Sequence, residues 1–154
     1  MRFEHLVEVN DLGDAAVAVL TRDQLWRGLV LRAEEPALFV PGLTEATILA
    51  RTESGLSRAL RYGQTLVLDE VHFVERERVR VEVPEQGDIP RSSLTMSIEE
   101  PRPGALFVRF VYDDERAPDD PAIDALRRAA YEDADVDTVG IIRWLMASGR
   151  LESC

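Results

Sequence analysis

The sequence contains very little cysteine, since Cys154 is the only one among 154 residues. A single cysteine excludes an intrachain disulfide and a cysteine-rich metal site. It also fits a reducing cytoplasm. Long apolar runs are missing as well, because residues 1–10 alternate where a signal peptide would be apolar, and no run approaches membrane-spanning length. We therefore expect a cytoplasmic protein that is not exported by a signal peptide and does not insert into membranes.

Basic residues are also few. The chain has no lysine, so its 18 basic residues are all arginine, against 29 acidic residues and a net charge of −11. Phosphate binding requires an excess of basic side chains, and the composition therefore argues against a nucleic-acid partner. The sequence also has no glycine-rich phosphate loop, no GxSxG elbow and no HExxH motif. We expect no phosphoryl transfer, hydride transfer or zinc hydrolysis, and neither a cofactor nor a bound metal.

The most informative segment is 56–73, which predicts a β-hairpin with a two-residue turn at 63–64. This turn places Arg58 opposite Asp69, on a face that is otherwise apolar. The apolar residues of that face are Leu56, Leu60, Tyr62, Val67, Val71 and Phe73. A charged pair on such a face is either a core ion pair or part of the wall of a ligand cavity. The sequence leaves both interpretations open.

Alternating patterns predict more strands around the hairpin. The first covers residues 2–9 with His5 on its apolar side, and the others lie at 46–51, 78–83, 93–98 and 105–112. In the last hairpin, the proline and glycine of the turn are expected to bring Ile98 near Leu106 and Met96 near Val108.

Helical patterns follow the first strand and end the chain. Thr21 is the expected N-cap of a helix that runs to Pro36, and Asp120 with Pro121 begins a helix of about 28 residues. The predicted inward stripe of this second helix is Ile123, Leu126, Ala130, Ala134, Thr138, Ile141, Ile142 and Leu145. With one apolar sheet face to cover, the long helix is expected to pack across the sheet in an α+β fold.

Several segments resemble one protein family. They read FEHLVEVND, LTRDQLWRGLVLRAEEPALFVPGL, LTMSIEEP, LFVRFVY and ADVDTVGIIRWL, and they are similar to the AtaL-like branch of the START/Bet v1-like (SRPBCC) superfamily. The resemblance implies one helix-grip domain over residues 1–154, with a curved seven-stranded antiparallel sheet around the C-terminal helix and an internal, mostly hydrophobic cavity. The superfamily includes polyketide cyclases and lipid-transfer domains. Such a fold implies ligand binding without specifying a reaction.

Nine residues are candidates for contact with a ligand. They are His5, Trp26, Arg58, Tyr62, Asp69, Phe73, Met96, Phe110 and Tyr112. The aromatic residues and the methionine are also ordinary core residues, and His5 could make only one structural hydrogen bond near Phe110 or Tyr112. His72 is expected to face solvent.

The acidic cluster of the last helix is interpreted as a solvated surface. Its members are Glu132, Asp133, Asp135 and Asp137. A metal site is less consistent with a chain this acidic that has no histidine nearby.

These patterns favour a binding protein for a small hydrophobic, lipid-like or polyketide-like metabolite held between sheet and helix. The alternative is a cyclase- or aromatase-like enzyme in which His5, Arg58, Asp69, Tyr62 or Tyr112 supplies acid–base chemistry. That alternative predicts that at least two of these residues converge. An interaction module is a third interpretation, and homodimerisation stays open.

Overall fold

The computed structural model describes residues 1–117 and 119–150. Seven strands, two α-helices and one 3-10 helix follow one another in this part of the chain. They are β1 (Arg2–Glu8), α1 (Arg22–Glu34), a 3-10 helix (Pro36–Leu38), β2 (Glu45–Thr52), β3 (Gly55–Tyr62), β4 (Thr65–Val74), β5 (Arg78–Val83), β6 (Ser92–Glu99), β7 (Phe107–Asp114) and α2 (Pro121–Ala147).

The strands form one antiparallel sheet in the order β1-β7-β6-β5-β4-β3-β2. Strands β2 to β7 follow as a meander, and β1 pairs with β7 at the far edge of the sheet. The sheet is curved around the long C-terminal helix, which confirms the predicted α+β helix-grip fold. This arrangement has one concave apolar face, and α1 and α2 pack on that side.

The structure confirms the register of the central hairpin. Arg58 pairs with Asp69 and Tyr62 with Thr65, and Gly63 has a positive φ of 62° in the turn between them. A positive φ is readily adopted only by glycine, so this residue fixes the turn and with it the faces of both strands.

The predicted register of the last hairpin is wrong by two residues. Ile98 pairs with Val108 and Met96 with Phe110, instead of with Leu106 and Val108. The connection is longer than the proline and glycine signals indicated, because Leu106 lies before β7 and its carbonyl accepts the backbone N–H of Val9. A shift of two leaves every side chain on its predicted face, since strand side chains alternate with a period of two.

Both helices begin where their capping residues indicate. The Thr21 hydroxyl accepts the N–H of Gln24, and the Gln24 side chain accepts the N–H of Thr21, which completes a capping box. At α2, the Asp120 carboxylate accepts the N–H of Ala122 and Pro121 occupies the first turn.

The inward face of α2 differs from the predicted stripe. Thr138, Ile142 and Leu145 are buried as expected, whereas the apolar residues of the first half are exposed. These exposed residues are Ile123, Leu126, Ala130 and Ala134. The buried stripe runs back from Thr138 to Asp135 and the half-buried Tyr131 at three- and four-residue steps, so it passes through polar positions. The middle of α2 therefore turns polar side chains inward just before Thr138.

Candidate functional site

His5 and Tyr112 come together on one carboxylate. They project from the concave side of β1 and β7, and both contact Asp135 of α2. The Nδ1 atom of His5 lies 3.2 Å from Asp135 Oδ2, and the Tyr112 hydroxyl donates to Asp135 Oδ1. The predicted proximity of His5 to Phe110 is confirmed, because the two residues are paired across the strands.

The burial of Asp135 corrects the interpretation of the acidic cluster. Glu132, Asp133 and Asp137 are exposed as expected, but Asp135 is only 1% exposed. Asp135 lies on the same face of α2 as the buried Thr138 and Ile142, whereas its acidic neighbours in the sequence lie on the exposed side. A buried carboxylate is tolerated when its oxygens accept hydrogen bonds, and both oxygens of Asp135 do so here.

Burial sets the protonation behaviour of this trio. Removal from water raises the pKa of Asp135 above its ordinary value, although the hydrogen bonds from Tyr112 and His5 act in the opposite direction. Burial also raises the pKa of Tyr112, and the neighbouring Asp135 raises it further. Tyr112 therefore stays a neutral donor. When Asp135 is ionised, it accepts the Nδ1 proton of His5 and leaves the Nε2 lone pair free.

Two aromatic rings lie against the ring of Tyr112. Its ring stacks on Tyr131 of α2 with centroids 4.0 Å apart and an interplanar angle of 11°. Phe3 lies 6.2 Å from Tyr112 and 6.0 Å from Tyr131, between centroids. These ring contacts restrict the movement of α2 relative to β1 and β7. They therefore help to hold His5, Tyr112 and Asp135 in place.

Arg58 and Asp69 form a second, separate cluster. Arg58 Nε and Nη2 donate to the two oxygens of Asp69 at 2.9 and 2.6 Å, and Nη1 donates to the Ala33 carbonyl at 2.8 Å. The two side chains are only 5% and 2% exposed. The pair thus has the geometry of a buried, two-point ion pair that also satisfies a carbonyl near the end of α1. A ligand contact for either residue stays a prediction.

Tyr62 and Arg32 interact electrostatically with Arg58 of this pair. Tyr62 is half-buried, and its hydroxyl has no hydrogen-bond partner among the described residues. Burial raises the pKa of Tyr62, while Arg58 lowers it and Asp69 raises it. Arg32 reaches from α1 towards α2, where its Nε donates to Thr138 Oγ1 at 3.4 Å. Desolvation lowers the pKa of Arg32, and Tyr112 and Asp135 oppose that effect.

The remaining candidates are apolar. Trp26 and Phe73 are half-buried and meet edge to face at 6.1 Å between ring centroids. Met96 and Phe110 are completely buried in the main core. The structure therefore places Trp26 and Phe73 at the margin of the core and Met96 and Phe110 in its centre. Whether any of the four contacts a ligand stays a prediction.

Sequence reasoning missed Asp135 and Arg32. A signal for Asp135 existed, because it continues the helical phase of Thr138, Ile142 and Leu145. An acidic residue in the phase of a buried stripe indicates an inward carboxylate. The signal for Arg32 was weaker. Its spacing of three residues from the buried Leu29 indicates an inward position, but the adjacent Ala33 is itself buried and already explains the inward face of α1 there.

Two surface features lie outside this interior. Glu70, His72 and Glu82 offer ligand atoms within 4.8 Å of one another on the outer side of β4 and β5, with His72 exposed as predicted. However, Glu82 already binds Arg80 at 2.7 Å. A groove of about 540 Å³ lies between the 3-10 helix and α2, with Leu38, Val136 and Trp144 in its lining.

The comparison with known families agrees with this architecture. Residues 7–149 match the family described as AtaL, Acetylaranotin biosynthesis cluster protein L. The chain belongs to the AtaL family. A search of curated proteins gives no significant match to this AtaL-family sequence.

Solved structures share the fold of the AtaL-family chain at low sequence identity. The Zhui aromatase/cyclase from Streptomyces sp. R1128 is 15% identical with a TM-score of 0.63, over 99% of this chain and 96% of that one. A START superfamily protein from Mycobacterium smegmatis is 17% identical with a TM-score of 0.60, over 94% and 98%. Ara h 8.0201 is 11% identical with a TM-score of 0.61, over 96% and 98%. These likenesses establish the Bet v1- and START-like fold.

No helix in the described part of the AtaL-family chain is long and apolar enough to cross a membrane.

Proposed function

We propose that this chain is a cytoplasmic binding protein for a small hydrophobic metabolite with a polar oxygen-bearing end, held between the sheet and α2. One observation carries the proposal. On the concave side, three polar side chains have atoms with no hydrogen-bond partner among the described residues. These atoms are His5 Nε2, the Tyr62 hydroxyl and the Arg32 Nη nitrogens. Half-buried aromatic rings lie on the same side.

This combination is typical of small-molecule sites, in which apolar walls supply affinity and a few polar groups fix the orientation. Trp26, Phe73 and Leu94 are half-buried on the inner side and supply apolar surface. Most residues of the first half of α2 are exposed. A ligand could thus add to the burial of both the sheet and the helix.

Native mass spectrometry with a panel of naphthyl and anthracenyl ketones and acids tests the proposal. We expect one-to-one complexes with Kd values in the micromolar range. Trp144→Phe leaves Trp26 as the single tryptophan, so a change in its fluorescence reports binding at the inner site. If no member of the panel binds at millimolar concentration, or if binding requires Trp144, the proposal fails.

A second candidate function is acid–base catalysis of the cyclase or aromatase type. The specific observation in its favour is the convergence of His5 and Tyr112 on Asp135. An ionised Asp135 orients His5 so that Nε2 can accept a proton from an activated carbon, and Tyr112, which donates its hydroxyl proton to Asp135, holds that carboxylate in position. The name of the Zhui aromatase/cyclase is consistent with this chemistry, but its likeness to this chain establishes the fold alone.

Exchange of a carbon-bound proton tests this chemistry without knowledge of the natural substrate. The probe is 1-(2-naphthyl)-1,3-butanedione in D₂O, and NMR follows deuterium incorporation between its two carbonyl groups. General-base catalysis by a positioned histidine predicts an acceleration of about 100-fold or more. His5→Gln should abolish the acceleration, while His72→Gln, on the exposed outer face, should retain it. Equal rates for both variants would exclude His5 as the base.

A further inference from the structure

Arg32 has an unusual environment for a guanidinium. It is partly buried between α1 and α2, and its one hydrogen bond in the described part of the chain is the contact of Nε with Thr138 Oγ1. Its two Nη nitrogens have no partner there. No buried side-chain nitrogen or oxygen among the described residues lacks a hydrogen bond, so these Nη atoms are reachable by solvent.

The nearby carboxylates are already occupied. Both oxygens of Asp69 bind Arg58, and both oxygens of Asp135 bind His5 or Tyr112. Arg32 forms no ion pair with either of them. If Asp69 and Asp135 are ionised and His5 is neutral, these two carboxylates balance the charges of Arg58 and Arg32. The unusual feature of Arg32 is therefore its two Nη nitrogens, which have no hydrogen-bond partner among the described residues.

A guanidinium removed from bulk water is costly unless its donors meet an acceptor. In the free protein this cost shows as the lowered pKa of Arg32, of which desolvation is the largest cause. The two Nη nitrogens lie side by side in the plane of the guanidinium. A carboxylate fits such a pair with two parallel hydrogen bonds, whereas a single carbonyl oxygen fills only part of it.

We infer that Arg32 binds a carboxylate of the ligand, so that the ligand class is an apolar, aromatic or lipid-like acid. This inference rests on the proposed binding function and adds the chemical group that is recognised. Tyr62, whose hydroxyl has no hydrogen-bond partner among the described residues, interacts electrostatically with Arg32 and is a candidate second donor.

Calorimetric titration at pH 7 with two matched probes tests the inference. The probes are 2-naphthoic acid, which is ionised, and 2-acetonaphthone, in which a methyl group replaces the charged oxygen. The wild-type chain should bind the acid at least about tenfold more tightly than the ketone. Arg32→Met should remove that preference and leave the affinity for the ketone within about twofold of wild type.

Two further variants separate recognition from folding and net charge. Arg78→Met, on the exposed outer face of β5, removes the same charge and should leave both affinities unchanged. Arg32→Lys keeps the charge without the planar pair of nitrogens and should give an intermediate preference for the acid. This variant also serves if Arg32→Met does not fold.

The outcomes separate the role of Arg32 from the proposed binding function. Equal affinities for acid and ketone, unchanged by Arg32→Met or Arg32→Lys, would overturn the role of Arg32 and leave the binding function intact. If neither probe binds to the wild-type chain, the binding function itself fails and the inference fails with it. If Arg32→Met loses both affinities, Arg32→Lys decides, and a preference for the acid that is unchanged from wild type in that variant would overturn the inference.

Discussion

Asp135 links the C-terminal helix to the far edge of the sheet through two side chains. Its oxygens bind His5 from β1 and Tyr112 from β7, which are neighbours in the sheet although they are the first and the last strand along the chain. The same carboxylate therefore affects both the stability of the fold and the orientation of the candidate base. Its protonation should be visible in the pH dependence of stability.

We predict that the stability advantage of wild type over Asp135→Asn falls as pH rises. The folded-state pKa of Asp135 lies above the ordinary value of 3.8, so the folded state binds the proton more tightly than the unfolded chain. The corresponding stabilisation is complete below 3.8 and is lost as pH rises through the folded-state pKa. Urea denaturation of both proteins from pH 3.5 to 7 measures the difference. An advantage that grows with pH would show that hydrogen bonding outweighs desolvation.

The ion pair of Arg58 and Asp69 gives a second prediction at this scale. Removal of one partner leaves a buried charge unpaired, so Arg58→Met and Asp69→Asn should each cost about 3–5 kcal/mol. The double variant should cost clearly less than the sum. Arg80→Met, which breaks an exposed pair with Glu82, should cost at most about 1 kcal/mol.

Denaturant midpoints for the four variants measure these costs. A loss below about 1 kcal/mol for Arg58→Met would contradict a structural role for the pair. It would favour the alternative in which the main role of Arg58 is to bind a ligand.

Residues of the strands were easier to predict than residues of the helices. Arg58 and Asp69 followed from the period of two and the position of one turn glycine. Asp135 was hidden among exposed acidic neighbours, because its environment depends on which of several helical phases faces the sheet. Arg32 gave only a weak signal, since its lack of a carboxylate partner results from the way distant residues pair with one another.

At the scale of elements, α1 and α2 approach each other closely at Gly28. A Cβ at this position would lie 2.5 Å from Cγ2 of the fully buried Ile142. This contact explains a glycine inside a helix, where it is otherwise unfavourable. Gly140 of α2 offers a matched comparison, because a Cβ there would meet no atom within 4 Å beyond the backbone of its own helix.

We predict opposite effects for alanine at these two glycines. Gly28→Ala should destabilise the fold by about 1–3 kcal/mol, because Ile142 would have to move in a packed core. Gly140→Ala should stabilise it by up to about 1 kcal/mol, since alanine is the better helix former and meets no neighbour. Thermal unfolding of the two variants against wild type measures both effects. Stabilisation by both substitutions would mean that the helices are not in close contact at Gly28.

Element boundaries were predicted well where local chemistry sets them, as with the capping box at Thr21 and the proline at the start of α2. The phase of α2 was wrong in its first half. Apolar residues such as Ile123 and Leu126 normally indicate a buried stripe, but here tertiary packing turns Tyr131 and Asp135 inward. The turn between β6 and β7 was misjudged by two residues because its length depends on contacts with the loop after β1.

At the scale of the whole molecule, the curved sheet and α2 hold two polar clusters on one concave side. One consists of His5, Tyr112 and Asp135, and the other of Arg58, Asp69 and the nearby Tyr62. Arg32 lies between the helices and interacts electrostatically with members of both. A ligand that binds between sheet and helix would therefore meet donors and a candidate base together.

A crystal structure of the protein saturated with 2-naphthoic acid tests this central claim most directly. We predict electron density for the naphthyl ring between the concave sheet face and α2, with the carboxylate within hydrogen-bonding distance of the Arg32 Nη atoms. Ligand density confined to the surface groove beside Leu38 and Trp144, with the interior unchanged, would contradict it.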